Sequence, residues 1–320
     1  MFAPALQFAI SLAFVYLLLS ALCSALQELI ANLGKWRAKT LEAGIMHLLQ
    51  DPGLKDKVYD HPLVKGIWRP NWLFKKATEI HKPAYISSAM FAQVVQDLRA
   101  NEGANLPAPA KKALDALLLG VDDIEEQKKR IEHWFDDAMD AVSGWYKRKA
   151  NAWLWVIAGV VCVVLNADTV SIGRVLWDDP TARAAIVQSA NDYVKKKVEA
   201  EEAKKNQEGG SNPADPDKAV QNSLQAVKDA RANLNGLSIP LGWCSAKDKS
   251  GNADNSCTPE RQLPGGEIWP WLLKIFGILI SVLAVSQGAP FWFDLLQKVV
   301  NLRLAGDPPP DSRKPKPAQS

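Results

Sequence analysis

Few residues in this 320-residue chain combine the types and the spacing that chemistry requires. The densest group is Glu132, His133, Asp136, Asp137 and Asp140. On a helix, His133 and Asp137 share one face and Asp136 and Asp140 another, because residues four apart stack over successive turns. Imidazole and carboxylate ligands so arranged suit a divalent cation. The plainer account is a solvated acidic face, balanced by Lys128, Lys129 and Arg130 one turn earlier. No second ligand-bearing motif converges on the cluster, so neither a metal nor a cofactor is expected there. A second pair is Cys244 and Cys257. All four histidines, at positions 47, 61, 81 and 133, lie outside their segment, which suits zinc poorly. A disulfide closing a short loop is the expectation, worth roughly 3 kcal/mol. A third pair is Asp168 and Lys274, single charges in otherwise apolar stretches. Either the two face one another inside a helical bundle, or Lys274 snorkels to the nearer interface. G-x-S-x-G, G-x-x-x-x-G-K-[ST] and H-E-x-x-H are all missing, so no catalytic residue is assigned and no enzyme is expected.

The elements that must hold these residues follow from hydropathy. Mean hydropathy is -0.12 and net charge +3, which excludes both a bundle buried in lipid throughout and a disordered chain. Twelve tryptophans against nine phenylalanines and five tyrosines suit a chain divided between water and lipid. Three apolar windows carry that division, from Ala5, from Ala152 and from Ile268. A helix needs about 20 largely apolar residues to cross a bilayer. The first and third windows reach that length. The second must take in Asn166 and Asp168 to do so; otherwise it is a buried helix of a soluble domain. Trp145, Trp153, Trp155, Trp269, Trp271 and Trp292, with Trp177, read as interface anchors. The first window lacks a basic leader and is longer than a secretory signal, so an uncleaved anchor is expected.

Basic residues set the orientation. Lys35, Arg37 and Lys39 follow the first window; Lys147, Arg148 and Lys149 precede the second; Lys298, Arg303, Arg313, Lys314 and Lys316 follow the third. These mark the cytoplasmic side, with the N-terminus out and the C-terminus in. Cysteine usage agrees: residues 31–150 have none, while Cys244 and Cys257 fall on the side where disulfides persist.

The expected fold is therefore an all-α integral membrane protein with three transmembrane helices. Residues 1–30 form the first span, 31–150 a cytoplasmic helical domain and 151–170 the second span. Residues 171–267 form an exterior helical hairpin with a disulfide loop, and 268–289 the third span. Residues 290–304 form an interfacial amphipathic helix, and 305–320 a disordered tail. Within the cytoplasmic domain, Thr40 is expected to cap a helix ending at Asp51-Pro52-Gly53, before a linker holding Trp68, Trp72 and Phe74. Further helices follow from the stripe Tyr85–Leu98, from Pro109 to Leu119, and from Asp122 onward. The last has no stop before the second window, with Ser143-Gly144 the one expected bend. The hairpin is expected from 181–206 and 217–235, joined by a loop-like stretch.

The blocks FDDAMDAVSGWYKR (135–148), NADTVSIGRVLWDDP (166–180) and GAPFWFDLLQKVVNLR (288–303) resemble a family of bacterial membrane proteins whose function is uncharacterised, and KTLEAGI (39–45) and KPAYI (82–86) do so too. The resemblance implies a multi-pass bacterial inner-membrane protein and supplies no activity. On these grounds the chain is expected to be a membrane-anchored scaffold docking a cytoplasmic partner or another copy of itself. The alternative is a subunit of an oligomeric channel, transporter or signal-coupling complex. Its partners are the bilayer and protein; no nucleic acid is expected.

Overall fold

The computed structural model describes residues 2–66, 69–70, 80–102, 106–205, 216–237, 239–245, 257–265 and 268–305. The described chain is almost wholly helical; its one extended pairing joins Arg69–Pro70 to Ile80–His81, antiparallel. The tail 306–320, the stretch 206–215 and the aromatic residues Trp68, Trp72 and Phe74 lie outside the described residues. Two compact units emerge.

One unit comprises residues 28–152 and 216–220. Its helices are α2 (Trp36–Leu49), α3 (Pro52–Asp60), α4 (Pro62–Lys65), α5 (Ser88–Glu102), α6 (Ala108–Leu117) and the first part of α7 (Ile124–Val164). Apolar residues at helical spacing close one core: Ile45 and Leu49 from α2, Val58 from α3, Phe91 and Val94 from α5, Leu114 from α6, Ile131 and Phe135 from α7. The Phe91 and Phe135 rings stack at 4.4 Å. Two elements depart from the sequence expectation. Helix α2 begins at Trp36, behind a left-handed Lys35, and not at Thr40. Asp51-Pro52-Gly53 ends one helix and also starts another: Asp51 accepts from Leu54 N at 2.7 Å, with Pro52 at the first helical position. That pairing of cap and proline is a start signal. Gly44 meets the Val142 side chain of α7 so closely that a Cβ would collide with it.

The other unit comprises residues 1–27, 153–215 and 221–320. Here α1 (Phe2–Leu33) is sheathed by the second part of α7, α8 (Thr169–Asp178), α9 (Pro180–Lys205), α11 (Ile268–Ser286) and α12 (Ala289–Ala305), with α10 (Pro216–Asn235) adding Ala230 and Leu234. The candidate span in α1 is 72% buried, while that in α11 is only 22% buried and turns Trp269, Leu272, Phe276, Leu279 and Leu283 outward. Val156, Val160 and Val164 of α7 are exposed likewise. An apolar exterior of this kind on two helices is what lipid covers.

Among the described residues, two helices are long and apolar enough to cross a membrane, or three spans if α7 and α8 count as one bent span. The span expected over 151–170 is not a single helix: α7 ends at Val164, and α8 leaves at 57°. No break interrupts α7 at Ser143-Gly144. Helices α9 and α10 fall within a residue of the bounds expected for the hairpin, 181–206 and 217–235; what differs is where α9 and α12 pack. Helix α9 packs Ile186, Val187 and Ala190 into the α1 core and sets Lys197 Nζ 4.4 Å from the Phe293 ring of α12. Helix α12 buries Phe293, Leu296 and Val300 in the same core. Its apolar stripe thus finds protein, where the sequence suggested a membrane surface.

Candidate functional site: a charge pair at a broken helix

The break between α7 and α8 is written in three residues. Asn166 takes the left-handed conformation, φ 47°, with its N–H donated to Val163 O at 3.1 Å; Ala167 N donates to Cys162 O at 2.8 Å. This is the two-bond stop of a helix whose last residue tolerates positive φ, a position asparagine accepts. Asp168 then caps the next helix. Its Oδ1 accepts from Val170 N at 2.9 Å and its Oδ2 from Ser171 Oγ at 2.6 Å. A stop and a start placed back to back turn the chain while leaving few backbone groups orphaned.

Lys274 of α11 reaches this cap. Its Nζ lies 3.7 Å from Asp168 Oδ2, and both side chains are under a tenth exposed. Nζ also donates to Glu260 O and sits 5.3 Å above the Trp243 ring. So Lys274 is enclosed by partners and does not snorkel. Gly277, one turn on, leaves room for the carboxylate: a Cβ there would overlap Asp168 Oδ1. Beside the pair runs a file of hydroxyls. Tyr16 Oη and Thr169 Oγ1 are 2.8 Å apart, Thr169 Oγ1 and Ser281 Oγ 2.7 Å, and Ser281 Oγ donates to Gly277 O at 3.2 Å.

The segment around the cysteines forms the roof. Cys244 and Cys257 are bonded, with Cα atoms 5.7 Å apart. Cys244 N donates to Arg261 O at 3.0 Å, and Gly242 N to Leu165 O at 2.6 Å. Asn166 Nδ2 donates to Gly242 O and Glu260 O, and Trp243 Nε1 to Val163 O. The disulfide therefore ties together the two strips that supply Trp243 and Glu260 to Lys274. An open pocket of about 210 Å³ lies alongside, lined among others by Asp168, Arg174, Glu260 and Lys274.

Other sequence candidates sit elsewhere. Among the described residues, no three His, Cys, Asp or Glu side chains come together as metal ligands. Glu132, His133, Asp136, Asp137 and Asp140 are spread along the solvent side of α7. Trp145, Trp153, Trp155, Trp269 and Trp271 are each at least 37% exposed. Trp292 is not an outward anchor: its Nε1 donates to Ala284 O at 2.6 Å and its ring meets Tyr16 at 4.8 Å. Gly277, Trp243 and Tyr16 escaped the sequence argument. The only signal was small residues four apart, Gly277 with Ser281.

No protein-family model, no curated protein and no solved structure matches this chain.

Proposed function

We propose that the chain is a non-enzymatic protein of the bacterial inner membrane, N-terminus out and C-terminus in, that anchors a helical domain and docks a partner protein through it. The observation that carries this is α7. One uninterrupted helix gives Ile131 and Phe135 to the core of one unit, and Leu154, Ile157, Ala158 and Val161 to the apolar cluster of the other. A helical domain with its own core, continuous in one helix with an apolar unit, has the build of an anchored adaptor. The test is gentle detergent extraction of the full chain followed by size exclusion and identification of what travels with it. A different protein held in fixed proportion is expected. The chain eluting as a lone monomer sinks the proposal.

A second reading, a subunit of an oligomeric channel, transporter or signal-coupling complex, is favoured by the Asp168–Lys274 pair. Ionisable groups buried within apolar helices mark pathways and switches. The same extraction discriminates, because this reading expects a closed homo-oligomer.

A further inference from the structure

The pocket beside the broken helix contains two charges that touch no partner among the described residues. Asp168 and Lys274 satisfy one another, Ser171, Val170 and the Glu260 backbone oxygen. The exposed Arg174 and the Glu260 carboxylate line the same pocket, and among the described residues neither makes a hydrogen bond or a contact ion pair, although the Glu260 carboxylate acts on the Lys274 ammonium through space. They are opposite in sign and yet do not pair with each other. Pro270 and Leu273 complete one wall, and both belong to the outward face of α11. Lys274 stands six residues into α11, about 9 Å along its axis; with α11 crossing a bilayer from its first turn, the pocket would lie near headgroup depth beside the outward face of that helix.

We propose that this pocket binds the headgroup of a phospholipid that carries a primary amine, with Arg174 on the phosphate and the Glu260 carboxylate on the ammonium. The chemistry selects the class. A guanidinium holds phosphate oxygens through paired N–H donors. A primary ammonium donates N–H bonds to Glu260, which a quaternary ammonium cannot do. An anionic headgroup without an amine would leave Glu260 facing like charge. The acyl chains would run down the exposed face of α11 past Leu273 and Phe276. The proposal rests on the membrane placement of α11 and is independent of the docking role.

The test uses the full chain, delipidated in detergent micelles, titrated by calorimetry with dihexanoyl phosphatidylethanolamine, phosphatidylcholine and phosphatidylglycerol. The ethanolamine lipid is expected to bind about tenfold more tightly than the choline lipid, the size of one charge-assisted hydrogen bond. Arg174→Gln should weaken both lipids alike. Glu260→Gln should leave the choline lipid unchanged and bring the ethanolamine lipid down to it. Arg174→Lys keeps the charge and should preserve the ranking, which guards against misfolding as the explanation. Free phosphoethanolamine should bind at least ~10-fold more weakly than its lipid, given the apolar wall; equal affinity would reassign the site to a soluble ligand and overturn the lipid source. Equal binding of the two lipids by the unaltered chain also overturns it, as does ranking that survives Glu260→Gln. Failure of the membrane reading would look different: the chain would stay soluble with no detergent at all.

Discussion

At the scale of single residues, Asp168 carries two loads that can be separated by substitution. Its carboxylate caps α8 through Val170 N and Ser171 Oγ, and it faces Lys274 at 3.7 Å. Exchanging the two charges would be a poor test, because a lysine at 168 cannot accept from Val170 N. Asp168→Asn is cleaner, since an asparagine oxygen still caps a helix while the charge is gone. Lys274→Met removes the other charge and keeps the apolar stem. Either single change strands a buried charge, at a cost of about 3–5 kcal/mol. The double variant is expected to lose less than either single one, measured by denaturant unfolding in detergent. Additive losses would mean that the two side chains do not act as a pair. Both charges stand out in the sequence because no other charged residue lies within five positions of either. Their surroundings do not, because the contacts are remote: Thr169 meets Ser281 across 112 positions, and Gly277 matters only through the carboxylate that fills the space in front of it.

At the scale of elements, long periodic helices were legible and the junctions between them were not. The stripes behind α5, α6, α9 and α10 depend on residues within one helix, so periodicity alone locates them. Asp51-Pro52-Gly53 and Asn166-Ala167-Asp168 are junctions where a stop and a start share neighbouring residues. Composition reads the first as a loop and the second as the polar end of a span; only the cap geometry separates the helices. One junction has a testable pH dependence. Glu42 of α2 accepts from Lys82 at 2.6 Å and from Lys55 of α3 at 3.0 Å. The hydrogen bond from Lys82 and then that from Lys55, working against burial, hold its carboxyl below the ordinary glutamate range. A depressed folded value stabilises at pH above the unfolded value and fades as pH falls through the folded one. Glu42→Gln is therefore expected to cost about 1 kcal/mol at pH 7, the cluster being part-exposed, and nothing once both forms are protonated. Hydrogen exchange of the α2 and α3 amides in the full chain measures it; a cost unchanged at acid pH would remove the ion pairs from the account. The disulfide junction has its own outcome. Cys244→Ser with Cys257→Ser should cost about 3 kcal/mol and speed exchange at Gly242 N, whose partner is Leu165 O. An unchanged Gly242 would separate the disulfide from the roof over Lys274.

At the scale of the whole molecule, the direction of the helices bears on how many times the chain crosses the membrane. Tyr16 reaches Ser281 through Thr169, and Ser20 Oγ donates to Val285 O at 3.1 Å. Four residues along α1 thus correspond to four residues along α11 in the same sense, so the two helices run parallel. Parallel spans cannot be joined by a chain that stays on one side of the bilayer; an odd number of further crossings must intervene. The bent pair α7–α8 is the one further apolar candidate among the described residues. Phe8 meets Trp177 at 5.6 Å while Tyr16 meets Thr169, so α8 runs antiparallel to α1, as a returning span requires. From Trp153 to Val164 and then along the tilted α8, the pair projects about 26 Å, close to a hydrocarbon core of about 30 Å. Three crossings are part of the membrane reading proposed above, and a labelling experiment tests them. Cys23 and Cys162 are buried and Cys244 is bonded to Cys257, so the native chain offers no thiol to an impermeant maleimide. Leu263, ahead of α11, and Ala89 of α5 are both exposed. Leu263→Cys is then expected to label in intact cells, and Ala89→Cys only after permeabilisation. Labelling of both from one side would mean that α7 and α8 re-enter without crossing, and the parallel packing of α1 and α11 would need a different explanation from a returning span.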